Sequence, residues 1–226
     1  MSYEWDFAVV FQNYDLLLLG LINTLNVTGV SLLFGIPLGL FVALLRLADS
    51  KWVSRSAGIF IEFFRSTPPL VQLFWIFFVL PILFDIAIDP YSASIIAFSI
   101  QSSAFFAEVF RAGLISIDRG QWEAGYAIGM TRKQVLRRVT LPQAVKRMIP
   151  AFLERIIELM KTTTLVSAIS YSDLLFQAND IAQQTYRPLE VFSVVAAMYF
   201  FVLWPTSVAA RGLERRLAVS GESTAA

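Results

Sequence analysis

The chain has 226 residues, 57% of them hydrophobic, with a mean hydropathy of +0.64, too apolar for a soluble domain of this size to cover with polar surface, so part of its solvent is lipid. Cysteine and histidine are absent, which excludes disulfides, thiolate or imidazole metal sites, cysteine nucleophiles and histidine proton relays. The net charge is only +1, but the basic residues are unevenly spread, and in a membrane protein that reports orientation rather than nucleic-acid affinity.

A membrane-crossing helix needs about 20 mostly apolar residues, and five segments are long enough, roughly 16–47, 57–84, 91–115, 143–169 and 189–211. The expected fold is all-α: a single transmembrane domain over residues 1–226, with a cytoplasmic loop at 116–142. The first span follows the acidic Glu4, Asp6 and Asp15. It is longer than the apolar stretch of a cleavable signal peptide and lacks a basic leader, so it reads as a retained helix. Within it, Gly35 and Gly39 have the GxxxG spacing that admits close approach of another helix. Ordinary small-residue packing beside Pro37 is the alternative.

The second span is interrupted early by Arg65-Ser66-Thr67-Pro68-Pro69, because prolines remove backbone donors and push the preceding residue out of helical geometry. Broken backbone at membrane depth survives only where protein or a water-filled cavity satisfies it, so this stretch is a candidate piece of a translocation path. It also fits a short interfacial helix, from about Trp52 to Phe64, that turns at the prolines before the span proper.

Orientation follows from Arg46, Lys51 and Arg55 after the first span, Arg111 to Arg147 between the third and fourth, and Arg211, Arg215 and Arg216 after the fifth. The opposite connections carry Asp85 and Asp89, then Asp173, Asp180 and Glu190, with Arg187 as the only base. The positive-inside rule then places the N-terminus outside and the C-terminus in the cytoplasm.

The loop between the third and fourth spans reads as two helices. Gln121 to Ile128 suits a short helix ended by Gly129, the residue that most readily takes a left-handed conformation. Thr131-Arg132-Lys133-Gln134 is a capping-box pattern, Val135, Leu136 and Val139 form an apolar stripe, and Pro142 is expected to end the second helix. Glu123 followed by Ala124 and Gly125 gives the first helix a low-relief surface with one charge, suited to docking on another protein.

This segment resembles the EAA loop of bacterial ATP-binding-cassette importer permeases, with Glu123, Ala124, Gly129, Leu141 and Pro142 at the motif positions. Gly125 stands for the third small residue and Val139 for the usual isoleucine; Gly125 lowers helix propensity, so a pliable docking helix is expected. Arg65 to Gln72 is similar to the RGTP-type segment of polar amino-acid permeases, with Ser66 for the glycine. Ala107 to Gly113, Leu141 to Ala144 and Lys161 to Leu165 are similar to further blocks of that subfamily, Thr162 departing from its frequent aspartate. The resemblance implies a bacterial cytoplasmic-membrane importer subunit with a second permease copy or relative, an external substrate-binding protein and an ATPase dimer that receives Glu123. It implies no cofactor on this chain. No GxxxxGK[ST] occurs, so ATP and Mg belong to the partner ATPase.

Ionisable residues inside spans are functional candidates. Glu62 with Arg65 and Glu108 with Arg111 have the spacing of pairs on one helix face. Glu154 and Glu158 lie one turn apart on the fourth span, with Arg155 expected on another face and Lys161 below. They would form a negative pocket for a cationic amino acid, or Glu158 would pair with Lys161 and Glu154 with a base on the partner subunit. Thr67, Pro68, Gln72, Lys161 and Thr163 join the candidate substrate residues. A passive channel would use the same intramembrane charges but not the docking loop. A membrane-embedded enzyme would have to rely on Glu108, Glu154 or Glu158, which form no recognisable catalytic spacing.

Overall fold

The structure, a computed structural model, describes residues 3–218, apart from a few side chains near its C-terminal end. Every regular element among them is helical. After the short α1 (Ala8–Gln12), α2 (Tyr14–Arg46) runs 33 residues without a break at Pro37, a length of about 50 Å. Its partner is α6 (Pro90–Ile115), and the glycines fix the contact. A Cβ on Gly35 would lie 2.1 Å from Ser102 Oγ, and one on Gly39 would lie 2.7 Å from Phe106 Cβ and 2.9 Å from the Ser103 carbonyl. The GxxxG spacing is thus the seat of the main helix pair.

Between these helices the chain makes α3 (Lys51–Ser66), α4 (Pro69–Phe74), a π turn (Trp75–Val79) and α5 (Leu80–Phe84). The two arms, Lys51–Ser66 and Pro69–Phe84, meet at 105°. Pro68 and Pro69 force this corner, and Thr67 and Pro68 are extended there. The expected helix before the prolines exists, starting at Lys51, with the remainder of the span after it.

A helical hairpin follows, α7 (Arg119–Ala127) and α8 (Arg132–Val135). Then come a π turn (Leu136–Thr140), α9 (Leu141–Thr162), a 3₁₀ segment (Thr163–Ile169), α10 (Leu174–Thr185) and α11 (Pro188–Ala218). Pro142 does not end a helix as the sequence suggested. In an unbroken α-helix its ring would strike a carbonyl four residues earlier; the π turn shifts the hydrogen-bond frame, and Pro142 falls in the first turn of α9, where no donor is needed. The π turn before Pro81 is the same device in the other arm.

Contacts set the helix directions. Gly35 meets Ser99 and Ser102 while Gly39 meets Ser103 and Phe106, so α2 and α6 are parallel. Gly20 meets Leu174, whereas Thr28 Oγ1 lies 3.2 Å from Thr163 Oγ1, so the chain leaving α9, from Thr163 to Leu174, runs antiparallel to α2. Arg46, Arg111, Arg119, Lys146 and Arg147 therefore gather at one end. The side chains of Arg215 and Arg216 lie outside the described ones. At the other end the N-terminal segment is tied to the start of α11: Tyr3 donates to Glu190 Oε2 (2.5 Å), the Asp6 amide to Glu190 Oε1 (3.0 Å), and Arg187 to the Glu4 carbonyl (2.7 Å). Three described helices, α2, α6 and α11, are long and apolar enough to cross a membrane, and the bent pair counts as a fourth. The charged α9 does not meet that criterion. It is packed against α6 and α11.

Candidate functional site

Two features stand out, an exposed hairpin at the basic end and a polar cleft deeper in the bundle. In the hairpin, α7 is capped by Asp118, whose Oδ1 accepts from the Gly120 amide (2.6 Å). It closes with the Gly129 amide donating to the Tyr126 carbonyl (2.9 Å) and the Met130 amide to the Gly125 carbonyl (3.1 Å). Gly129 has φ +80°, the left-handed geometry expected of a helix C-terminus. Thr131 forms the expected capping box with Gln134. Gly125 is buried, and a Cβ there would lie 2.6 Å from Val135 Cγ2. In the structure it lets the two arms of the hairpin pack closely. Glu123, Ala124, Tyr126 and Ile128 are exposed, leaving a surface of one carboxylate among small and apolar groups. Gln143 donates to Gln121 (3.0 Å), Arg147 donates to the Ser116 carbonyl, and Met148 packs on Gly113, so the hairpin is braced to α9 and α6.

The cleft, about 250 Å³, is lined by Arg65 and Thr67 at the corner of the bent pair, Gln101, Ser102 and Phe105 of α6, and Arg155, Glu158 and Thr162 of α9. The Phe105 ring carries both guanidinium groups, Arg65 at 5.7 Å and Arg155 at 4.6 Å from its centre, within cation–π range. Arg155 also pairs with Glu158 on the next turn. A second hollow of about 320 Å³ shares Arg65, Phe105 and Arg155 and opens toward Arg147 and Glu108. Glu108 and Arg111 pair as their spacing suggested, with Arg111 Nε 2.9 Å from Glu108 Oε2.

The candidate residues separate on this geometry. Glu158 and Thr67 line the cleft. Arg155 is not on a different face, as expected, but is the partner of Glu158; the rise of three residues brings the groups together. Lys161 is exposed and does not take that role, and Glu154 is exposed outside the cleft lining. Glu62 accepts from Ser66 (3.1 Å) rather than from Arg65, which has turned to Phe105. Gln72 is buried as a corner brace, its amide nitrogen reaching the Phe64 carbonyl (3.0 Å), the Thr67 carbonyl (3.1 Å) and Thr67 Oγ1 (2.6 Å). Thr163 is also buried, donating to the Met160 carbonyl (2.8 Å), and Pro68 is exposed at the corner. Gln101, Ser102, Phe105 and Thr162 were missed; the polar run Gln101-Ser102-Ser103 inside an apolar span was the available signal.

Residues 35–219 match the family described as the binding-protein-dependent transport system inner membrane component. The chain belongs to this family. Within it, the chain is 36% identical to the L-cystine transport system permease protein TcyB of Bacillus subtilis, over 94% of this chain and 91% of the relative. It is 34% identical to the glutamine transport system permease protein GlnP of Escherichia coli, over 96% and 99%. The crystal structure of an amino acid ABC transporter with histidines superposes with a TM-score of 0.89 at 36% identity, covering 95% of this chain and 100% of that one. The hairpin and the cleft both lie inside the matched residues of this inner membrane component.

Proposed function

We propose that the chain is the transmembrane subunit of an ATP-driven amino-acid importer in a bacterial cytoplasmic membrane, working by alternating access. One observation carries the reading: a continuous helical run from Arg132 to Thr162 joins the exposed hairpin to Arg155 and Glu158 in the cleft. Motion of a partner docked at Glu123 would reach the cleft through that run, about 45 Å long. The relatives' names, an L-cystine and a glutamine permease, support amino-acid cargo. With α9 counted as a protein-lined pass, the chain crosses five times, N-terminus outside and C-terminus in the cytoplasm. A permease pair would enclose the path, two copies of an ATPase would supply energy, and an external binding protein would deliver the cargo.

The cleft suits an amino acid's two charged groups. Arg65 and Arg155 would meet the α-carboxylate, Glu158 the ammonium, and Thr67, Gln101 and Ser102 offer hydrogen bonds. Two guanidinium groups against one carboxylate favour binding through the carboxylate end. The narrower proposal, a cationic amino acid, then rests on Glu154, which forms no ion pair among the described residues and would add a second negative charge on the approach.

Transport into vesicles by the complex reconstituted with its ATPase and binding protein, with basic, neutral and acidic amino acids, tests both levels. Arg155→Gln is expected to weaken uptake of every transported amino acid, and Glu154→Gln to weaken only that of basic ones. Failure of any amino acid to move would defeat the importer reading. Equal loss for basic and neutral substrates in Glu154→Gln would remove the cationic one.

A further inference from the structure

Away from the cleft and the docking hairpin, the start of α3 has two adjoining exposed stripes. Ala57 and Ile61 bury one face against Val42, Ala43 and Ala107. Trp52, Ile59 and Phe63, spaced by seven and four residues, are 83%, 65% and 57% exposed. Lys51 and Arg55, one turn apart, are exposed on the adjoining stripe. A bulky apolar stripe ending in tryptophan beside a basic one is the surface of a helix lodged at a membrane interface.

The basic stripe borders a recess of about 420 Å³ whose third cation, Arg46, comes from the end of α2. Arg46 is held in place. Its Nη1 donates to Ser54 Oγ (2.7 Å) and Ser54 Oγ donates back to the Arg46 carbonyl (2.7 Å). The guanidinium crosses Gly58, where a Cβ would come within 3.2 Å of Nε. Glu62, at the far end of the recess, accepts from Ser66, and Asp49 is exposed in the turn before α3. Among the described residues, no carboxylate pairs with Arg46, Lys51 or Arg55. Three cations, one of them a fixed guanidinium, beside exposed tryptophan and isoleucine, are an incomplete site that lacks an anion with an apolar tail.

We propose that Arg46, Lys51 and Arg55 bind the phosphate of an anionic phospholipid whose acyl chains lie along Trp52, Ile59 and Phe63. Charge complementarity selects the anionic headgroup, and the adjoining apolar stripe selects a lipid over soluble phosphate. The other end of the same helix carries Arg65 over Phe105, so a lipid held at Lys51 steadies one wall of the cleft. The inference rests on membrane residence of the chain and not on its cargo.

Native mass spectrometry of the purified full chain with its co-purifying partners tests it, titrating phosphatidylglycerol, phosphatidylcholine of the same chains, and inorganic phosphate. Phosphatidylglycerol is expected to be retained preferentially. Lys51→Gln with Arg55→Gln should reduce that preference by about fivefold per charge removed, and Lys133→Gln with Arg137→Gln, in the hairpin and the π turn that follows it, should leave it intact. Trp52→Ala should lower retention of both lipids. Equal retention of the two lipids by the wild type would overturn the proposal, even if the double variant failed to assemble. Full displacement of phosphatidylglycerol by millimolar inorganic phosphate would overturn it too, because the site would then recognise phosphate alone.

Discussion

At the scale of single residues, the ionisable groups mattered more for their partners than for their positions in the sequence. Glu158 was legible as a cleft residue, but its pairing with Arg155 was not, because side-chain rotamers on one helix face decide between neighbours at similar spacing. Gln72 and Thr163 looked like substrate ligands, and in the structure each donates to a backbone carbonyl where a helix bends or tightens. Asp173 counts in the sequence only as one of the acidic residues of a loop. It caps α10 by accepting from the Phe176 amide (2.8 Å), while its Oδ2 is buried without a partner. Burial pushes its carboxyl up to about 6. An acid whose folded pKa lies above its unfolded value of 3.8 favours the folded state less as pH rises through that window. The protein is therefore expected to lose up to about 3 kcal/mol of stability between about pH 4 and pH 7 through this group. Asp173→Asn keeps a cap and removes the charge. Its unfolding midpoint should exceed the wild type's at pH 7 and match it near pH 4. A constant difference across that range would show that the buried charge is not the cause.

At the scale of elements, the sequence revealed most where a local rule acts alone. The Thr131 capping box and the Gly129 stop each depend on a few neighbouring residues and appear as expected, while of the two readings open for Gly35 and Gly39 the structure shows the close helix approach. The stop expected at Pro142 failed because a π turn, which has no simple sequence signature, accommodated the proline. The glycines of α2 provide a graded test. Gly39→Leu would place side-chain atoms against Phe106 Cβ and the Ser103 carbonyl, neither the end of a flexible chain. Overpacking of this kind costs about 1–3 kcal/mol or more. Nothing lies within 4 Å of a Cβ at Gly29, so Gly29→Ala should be neutral or mildly stabilising. Thermal unfolding in detergent should rank the variants Gly29→Ala, wild type, Gly39→Leu in falling order. A Gly39→Leu protein as stable as wild type would mean that α2 and α6 are free to separate.

At the scale of the whole molecule, one continuous helical run joins the hairpin at the basic end to the cleft. The charge pattern alone placed Arg46, Arg111 and Arg147 at a common end, because the positive-inside rule acts on composition near helix ends, and the parallel course of α2 and α6 agrees. The corner angle, the cleft and the Phe105 platform were not legible, because they depend on which faces of distant helices meet. If the run from Arg132 to Thr162 is a stiff lever, softening it should uncouple energy use from transport without undoing docking. Arg137→Gly with Arg138→Gly puts two glycines in its π turn, at a helix cost of roughly 1 kcal/mol each, and leaves Glu123 and the hairpin's packed corner in place. Arg137→Ala with Arg138→Ala removes the same charges and keeps the stiffness. In reconstituted vesicles the glycine pair should retain the ATPase and its hydrolysis but move less amino acid per ATP, while the alanine pair stays near the wild-type ratio. An equal fall in both would assign the effect to charge, and an unchanged ratio in the glycine pair would mean that the hairpin reaches the cleft by another route, through Arg147 and Ser116 at the end of α6.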